Sequence, residues 1–120
     1  MYRPGFTLWY SVSNLERTLS FYTEQLGFEV DSYDKENGMA SVHTNTKDCF
    51  IGFSEAEQVV PSTAAAVIEV EDIDAAVIEL KKKGITFNGD VTTIPGYAKL
   101  ITFQDPDGHN FELSQVVMDS

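Results

Sequence analysis

The apolar positions of the chain fall into two patterns. From Ser13 to Leu26, residues Leu15, Leu19, Tyr22 and Leu26 recur at steps of four, three and four, the stripe of an amphipathic helix. Ser13 is its expected cap, with Glu16 three residues on completing a capping box, and Gly27 supplies the stop. A second stripe, Ile73, Ala76, Val77 and Leu80, predicts a helix over 73–83. Asp72 caps it, Asp74 sits near its positive end, Lys81 to Lys83 complement its negative end and Gly84 stops it. Elsewhere apolar and polar residues alternate. That period predicts strands over 6–12, 28–33, 39–44 and 49–53, then over 65–70, 85–88, 98–104 and 110–116. Asp34–Gly38 and Asp105–Gly108 read as turns, and Ser54–Thr63, which holds Pro61, as the linker.

Each half therefore runs strand, helix, strand, strand, strand. Val12–Leu15 aligns with Val70–Ile73 at an offset of 58, Gly27–Val30 with Gly84–Phe87 at 57, and Cys49–Ile51 with Asn110–Glu112 at 61. The drift falls in loops, so an internal repeat is expected. It consists of two similar modules, about 1–56 and 62–120, within a single domain of 120 residues.

Composition narrows the class. The one cysteine, Cys49, cannot form an internal disulfide, which excludes a secreted disulfide scaffold. Its expected role is a small buried hydrophobe, since no cation stands near it in sequence to activate the thiol. No apolar run approaches the ~18–20 residues of a membrane span. The first seven residues lack a basic-then-apolar leader pattern, so a cytoplasmic protein is expected. Eight Lys and Arg against 19 Asp and Glu give a net charge of −11, a field that repels phosphate backbones and argues against nucleic acid. The same charge would attract cations, but its plainer reading is surface solubility.

Two segments, Val12–Val30 and Phe103–Leu113, with Val67–Gly84 between them, resemble the vicinal oxygen chelate superfamily. That family includes glyoxalases, extradiol dioxygenases, fosfomycin-resistance transferases and bleomycin-binding proteins. The resemblance implies an α+β fold of two βαβββ modules whose curved sheets enclose a ligand cleft, and a homodimer. In metal-dependent members, the first and last strand of each module supply the ligands of one divalent ion. Carried across, those places fall on Thr7, Ile51, Ala65 and Glu112. Only Glu112 is a good ligand type, so no metal and no cofactor are expected. Neither His43, on a strand, nor His109, in a turn, has metal-ligand spacing.

By strand parity and the resemblance, the cleft-facing set is Thr7, Trp9, Ser11, Ile51, Phe53, Glu69 and Glu112. Trp9 and Phe53 either sandwich a planar or cationic ligand or fill the cleft. Glu69 and Glu112 either bind a cationic group or sit at a wet end and on nearby backbone. Ser11 and Ser13 have no histidine partner for a nucleophilic triad, and no glycine-rich phosphate loop is present. The expected function is a metal-free small-molecule-binding protein of the glyoxalase/bleomycin-resistance type. It would sequester a drug or metabolite, cationic or aromatic, in the inter-module cleft, as in antibiotic resistance. The alternatives are a metal-dependent glyoxalase-like lyase or isomerase with Glu112 as its catalytic base, and a dimeric scaffold with a filled cleft.

Overall fold

The alternating stretches form eight strands in the computed structural model, which describes residues 1–117. The first half holds β1 (Phe6–Val12), α1 (Leu15–Ser20), β2 (Glu29–Asp34), β3 (Met39–His43) and β4 (Cys49–Glu55). The second holds β5 (Ala65–Glu69), α2 (Ile73–Lys82), β6 (Thr92–Ile94), β7 (Ala98–Gln104) and β8 (Asn110–Val116). One sheet has the order β1-β4-β3-β2, the other β5-β8-β7-β6. In each, the first strand lies parallel to the last and the other pairs are antiparallel. The fold is α+β, two βαβββ modules, and the chain divides into compact units at Pro61/Ser62.

Each helix is started twice over. Asn14 Oδ1 accepts from the Arg17 N–H at 3.0 Å, and Asp72 Oδ1 accepts from the Ala75 N–H at 3.1 Å. The last strand of the same module then reaches back. Glu55 Oε2 accepts from the Leu15 N–H, and Gln115 Oε1 from the Ile73 N–H, both at 2.8 Å. These bonds satisfy N–H groups that a helix leaves without partners. Ser13 is not the cap expected of it. Asn14 has the extended backbone a cap needs (φ −147, ψ 106), and Ser13 Oγ accepts from the Arg17 guanidinium instead.

The first helix also differs from its single stripe. At Phe21 it widens into a π-helical turn, Phe21–Gln25, where the Leu26 N–H donates to the Phe21 carbonyl at 3.1 Å. The wider turn lets the adjacent Phe21 and Tyr22 both point inward, which a 3.6-residue period would not. Tyr22 is fully buried, with its ring 6.4 Å from that of Phe28 and 4.8 Å from that of Phe53. In the second module α2 lays Ile73 and Val77 against a core that contains Ile101, Phe103, Phe111 and Leu113. No helix among the described residues is long and apolar enough to cross a membrane.

Two expected strands change by more than one residue at an end. Residues 85–88 are not a strand: Ile85 is buried, and Phe87 makes one bridge to Phe103, ring to ring at 5.5 Å. Asn88 donates its N–H to the Thr102 carbonyl, and Gly89 (φ 80) then turns the chain away before a ladder can form. The outer strand comes later, at β6. Ser54 and Glu55 extend β4, so the linker starts at Ala56, whose N–H donates to the Val12 carbonyl at 2.8 Å.

Candidate functional site

Each sheet has one face covered by its helix. Register fixes which side chains lie on the other, far face. In the first sheet Thr7 pairs with Phe50, Trp9 with Gly52 and Ser11 with Ser54. Trp9 leaves 53% of its surface exposed, and its indole lies across β4 on top of Gly52. A methyl group added to Gly52 would meet Trp9 Cε3 at 2.0 Å. The indole N–H donates to Ser54 Oγ at 2.7 Å. On the same face His43 sets its ring 5.1 Å from that of Phe50.

A polar group adjoins these rings. The register of β2 shifts between Val30 and Ser32, leaving Asp31 as the extra residue of a bulge. The bulge brings both Asp31 and Ser32 to Ser41, whose hydroxyl donates to Asp31 Oδ2 at 3.0 Å and lies 2.6 Å from Ser32 Oγ. The four strands of this sheet contain no lysine or arginine.

Ile51 and Phe53 do not belong to the set assigned to them. They alternate with Gly52 and face the helix: Phe53 is 0% exposed and its ring packs on Tyr22. The error is one residue. The first module pairs Thr7 with Phe50 and the second pairs Ala65 with Asn110, so Phe50 corresponds to Asn110 and Gly52 to Glu112. The repeat offset on this strand is therefore 60, the same as from Glu55 to Gln115, and the offset of 61 inverts every side chain.

On the far face of the second sheet, β5 presents Ala65, Val67 and Glu69, and β8 presents Asn110, Glu112 and Ser114. Glu112 is half-buried on an interior strand, flanked by Val67 and Thr102. His109 has a structural place. It is buried, and its Nδ1 accepts from the Ser62 N–H at 3.2 Å, while Asn110 donates its side-chain amide to the Ser62 carbonyl. Asp105 Oδ1 holds the preceding turn by accepting from the N–H groups of Asp107 and His109.

Gly52, Ser54, Asp31 and Ser41 escaped the sequence reading. Gly52 carried a usable signal, because a glycine inside a strand marks a bulge or a close approach. The bulge that aims Asp31 left none.

The corrected register also changes the donor set that the family resemblance implies. The four places are Thr7, Gly52, Ala65 and Glu112. They offer one hydroxyl and one carboxylate, and the space beside Gly52 is filled by the Trp9 indole. These residues do not fit a divalent ion that needs about three good ligands. Among the described residues no group of three or more His, Cys, Asp or Glu side chains is arranged to hold one.

The fold is shared widely. A crystal structure of a glyoxalase/bleomycin resistance protein/dioxygenase from Nocardioides matches with a TM-score of 0.81 at 23% identity, covering 100% of this chain and 88% of that one. An integron cassette protein from the mobile metagenome of Halifax Harbour sewage outfall matches with a TM-score of 0.81 at 26% identity, covering 96% and 100%. An antibiotic binding protein from a Streptomyces species matches with a TM-score of 0.76 at 22% identity, covering 98% and 97%. No curated protein matches the chain. The family model of the Glyoxalase/Bleomycin resistance protein/Dioxygenase superfamily matches residues 6–113, and the chain belongs to that superfamily.

Proposed function

We propose that the protein is a metal-free small-molecule-binding member of its superfamily, a cytoplasmic homodimer that sequesters a planar drug or metabolite on the Trp9 face. The observation that carries this reading is the half-exposed indole laid over Gly52, a large π-surface where a metal-binding member would place a ligand. Aromatic plates flanked by a few polar groups are the usual make-up of small-molecule sites. Asp31 and the serines beside it supply the polar groups. With no lysine or arginine on the first sheet, the ligand is neutral or cationic rather than anionic. Membership of a family that includes bleomycin resistance proteins and the likeness to an antibiotic binding protein both favour sequestration.

The test is a thermal-shift screen of drug-like and metabolite compounds, run with and without divalent metals, beside elemental analysis of the purified protein. The reading expects planar cations or neutral rings to raise the melting temperature equally in both conditions. About one Ni, Zn, Fe or Mn per chain, lost in Glu112→Ala, would replace it with the metal-dependent enzyme.

A further inference from the structure

Trp9 and Gly52 belong together. A tryptophan on a sheet face has several rotamers, and one that lies flat across the neighbouring strand needs that strand to give up a side chain. Gly52 does so, at a cost, since a glycine inside a strand loses backbone entropy and packs nothing. A Cβ at residue 52 would stand 2.0 Å from Cε3, 2.2 Å from Cζ3 and 2.8 Å from Cδ2 of the indole, so even alanine displaces the ring. At the other end of the ring system the Nε1–H is held by Ser54 Oγ at 2.7 Å. One side of the indole is thus seated on backbone and one edge is tied, while the residue keeps about half its surface exposed.

We propose that Gly52 is a positioning residue for ligand, the seat that lays the Trp9 indole flat, with Ser54 as its latch. The exposed π-face is thereby a fixed stacking plate for a planar ring. This rests on the reading of the Trp9 face as a small-molecule site. A plate already fixed in the free protein spares a ligand the cost of ordering it.

Trp9 is the only tryptophan, so its emission reports on the seat before any ligand is added. The full chain is compared with Gly52→Ala, Ser54→Ala and Trp9→Val. Three readings are taken: acrylamide quenching, anisotropy decay of the free protein, and equilibrium dialysis of the planar cation 9-aminoacridine. Gly52→Ala is expected to raise quenching about twofold or more, to add a fast anisotropy component and to weaken dye binding about tenfold, with far-UV circular dichroism retained. Ser54→Ala moves all three the same way by about threefold or less. The double variant Gly52→Ala/Trp9→Val should regain the melting temperature of Trp9→Val alone without regaining affinity, since the clash is gone and so is the plate. Unchanged quenching and anisotropy in both Gly52→Ala and Ser54→Ala would overturn the seat. A released indole with dye affinity kept within about twofold would overturn its role for ligand. Equal dye uptake by the wild type and Trp9→Val would defeat the functional reading itself, and the free-protein emission separates that result from a failed seat. If Gly52→Ala does not fold, Ser54→Ala decides by the same readings.

Discussion

Side by side, the two modules match where they face their helices and part company on their far faces. Ile51 corresponds to Phe111, Phe53 to Leu113, and Glu55 to Gln115. The first two pairs are large, apolar and buried, and the third caps a helix in both modules. On the far side the strand pair Trp9–Gly52 stands where the second module has Val67–Glu112. One module puts its bulk on the first strand and nothing on the last. The other puts a small residue on the first and a carboxylate on the last. The helix side is held by packing, which punishes any change of volume. The far side carries no such demand, so one scaffold presents an aromatic plate in one copy and an acid in the other.

The largest expected effect breaks the assignment of faces. Phe53→Ala should destabilise the protein by ~3–5 kcal/mol, because it opens a cavity beside the fully buried Tyr22. Leu113→Ala at the matching place should cost ~2–5 kcal/mol. Urea unfolding measures both. A Phe53→Ala protein of wild-type stability with impaired ligand binding would return Phe53 to the far face and undo the comparison.

The next effect tests the far faces. Removing the plate by Trp9→Ala should weaken a planar cationic probe by ~1–3 kcal/mol at little cost in stability, the range for loss of an aromatic partner. Asp31→Asn should weaken the same probe less, and more at low salt than at high, since its contribution is a charge. Calorimetric titration of both variants at two salt concentrations separates stacking from charge. If Asp31→Asn proves the more damaging, charge rather than stacking carries the binding.

The shared helix caps give a smaller effect and a finer comparison. Glu55→Ala and Gln115→Ala each strip a bond from a helix N-terminus and should cost ~0.5–2 kcal/mol. The charge on Glu55 adds an attraction to the helix dipole that Gln115 lacks. Glu55→Gln should therefore lose ~0.3–1 kcal/mol, and Gln115→Glu should gain about as much, both effects shrinking with salt. Equal losses in Glu55→Gln at low and high salt would show that only the hydrogen bond counts.

Most of the fold was legible because alternation and caps are local signals. The strands at 6–12, 98–104 and 110–116 appear with the boundaries their alternation predicts, and Asp72 caps its helix as expected. What failed depended on register, on a partner distant in sequence or on a backbone conformation. Ser13 and Asn14 are both good cap residues, and the choice is made by backbone conformation. The Ile85–Asn88 run looks like a strand until Gly89 turns it away from Phe103. The set Thr7, Trp9 and Ser11 does share one face, while Ile51 and Phe53 were placed on it by an offset wrong by one. A glycine between two buried apolar residues was the place to check that offset, since only one parity gives Gly52 a neighbour that needs it.

The smallest effect concerns a turn that only one module has in acidic form. At the end of β2, Asp34 accepts from both the side-chain amide and the backbone N–H of Asn37, at 2.8 and 3.2 Å. The side-chain bond first, and the backbone bond second, hold its carboxyl below the ordinary carboxylate value. The matching turn of the second module, between β6 and β7, runs Pro95-Gly96-Tyr97 and has no carboxylate; it closes through the Tyr97 N–H on the Ile94 carbonyl. A lowered folded-state pKa means that the turn is stabilised above the unfolded value of about 3.9 and that this stabilisation is lost as the pH falls through the lower folded value. Asp34 is exposed, so the effect on global stability is slight and the local titration is the better readout. Carboxyl-detected NMR should place Asp34 below an ordinary aspartate, and Asn37→Ala should move it back up. If Asp34 titrates at the ordinary value in the wild type, the Asn37 clasp is not formed in solution. The turn of the first module would then be no more acid-sensitive than its carboxylate-free counterpart in the second.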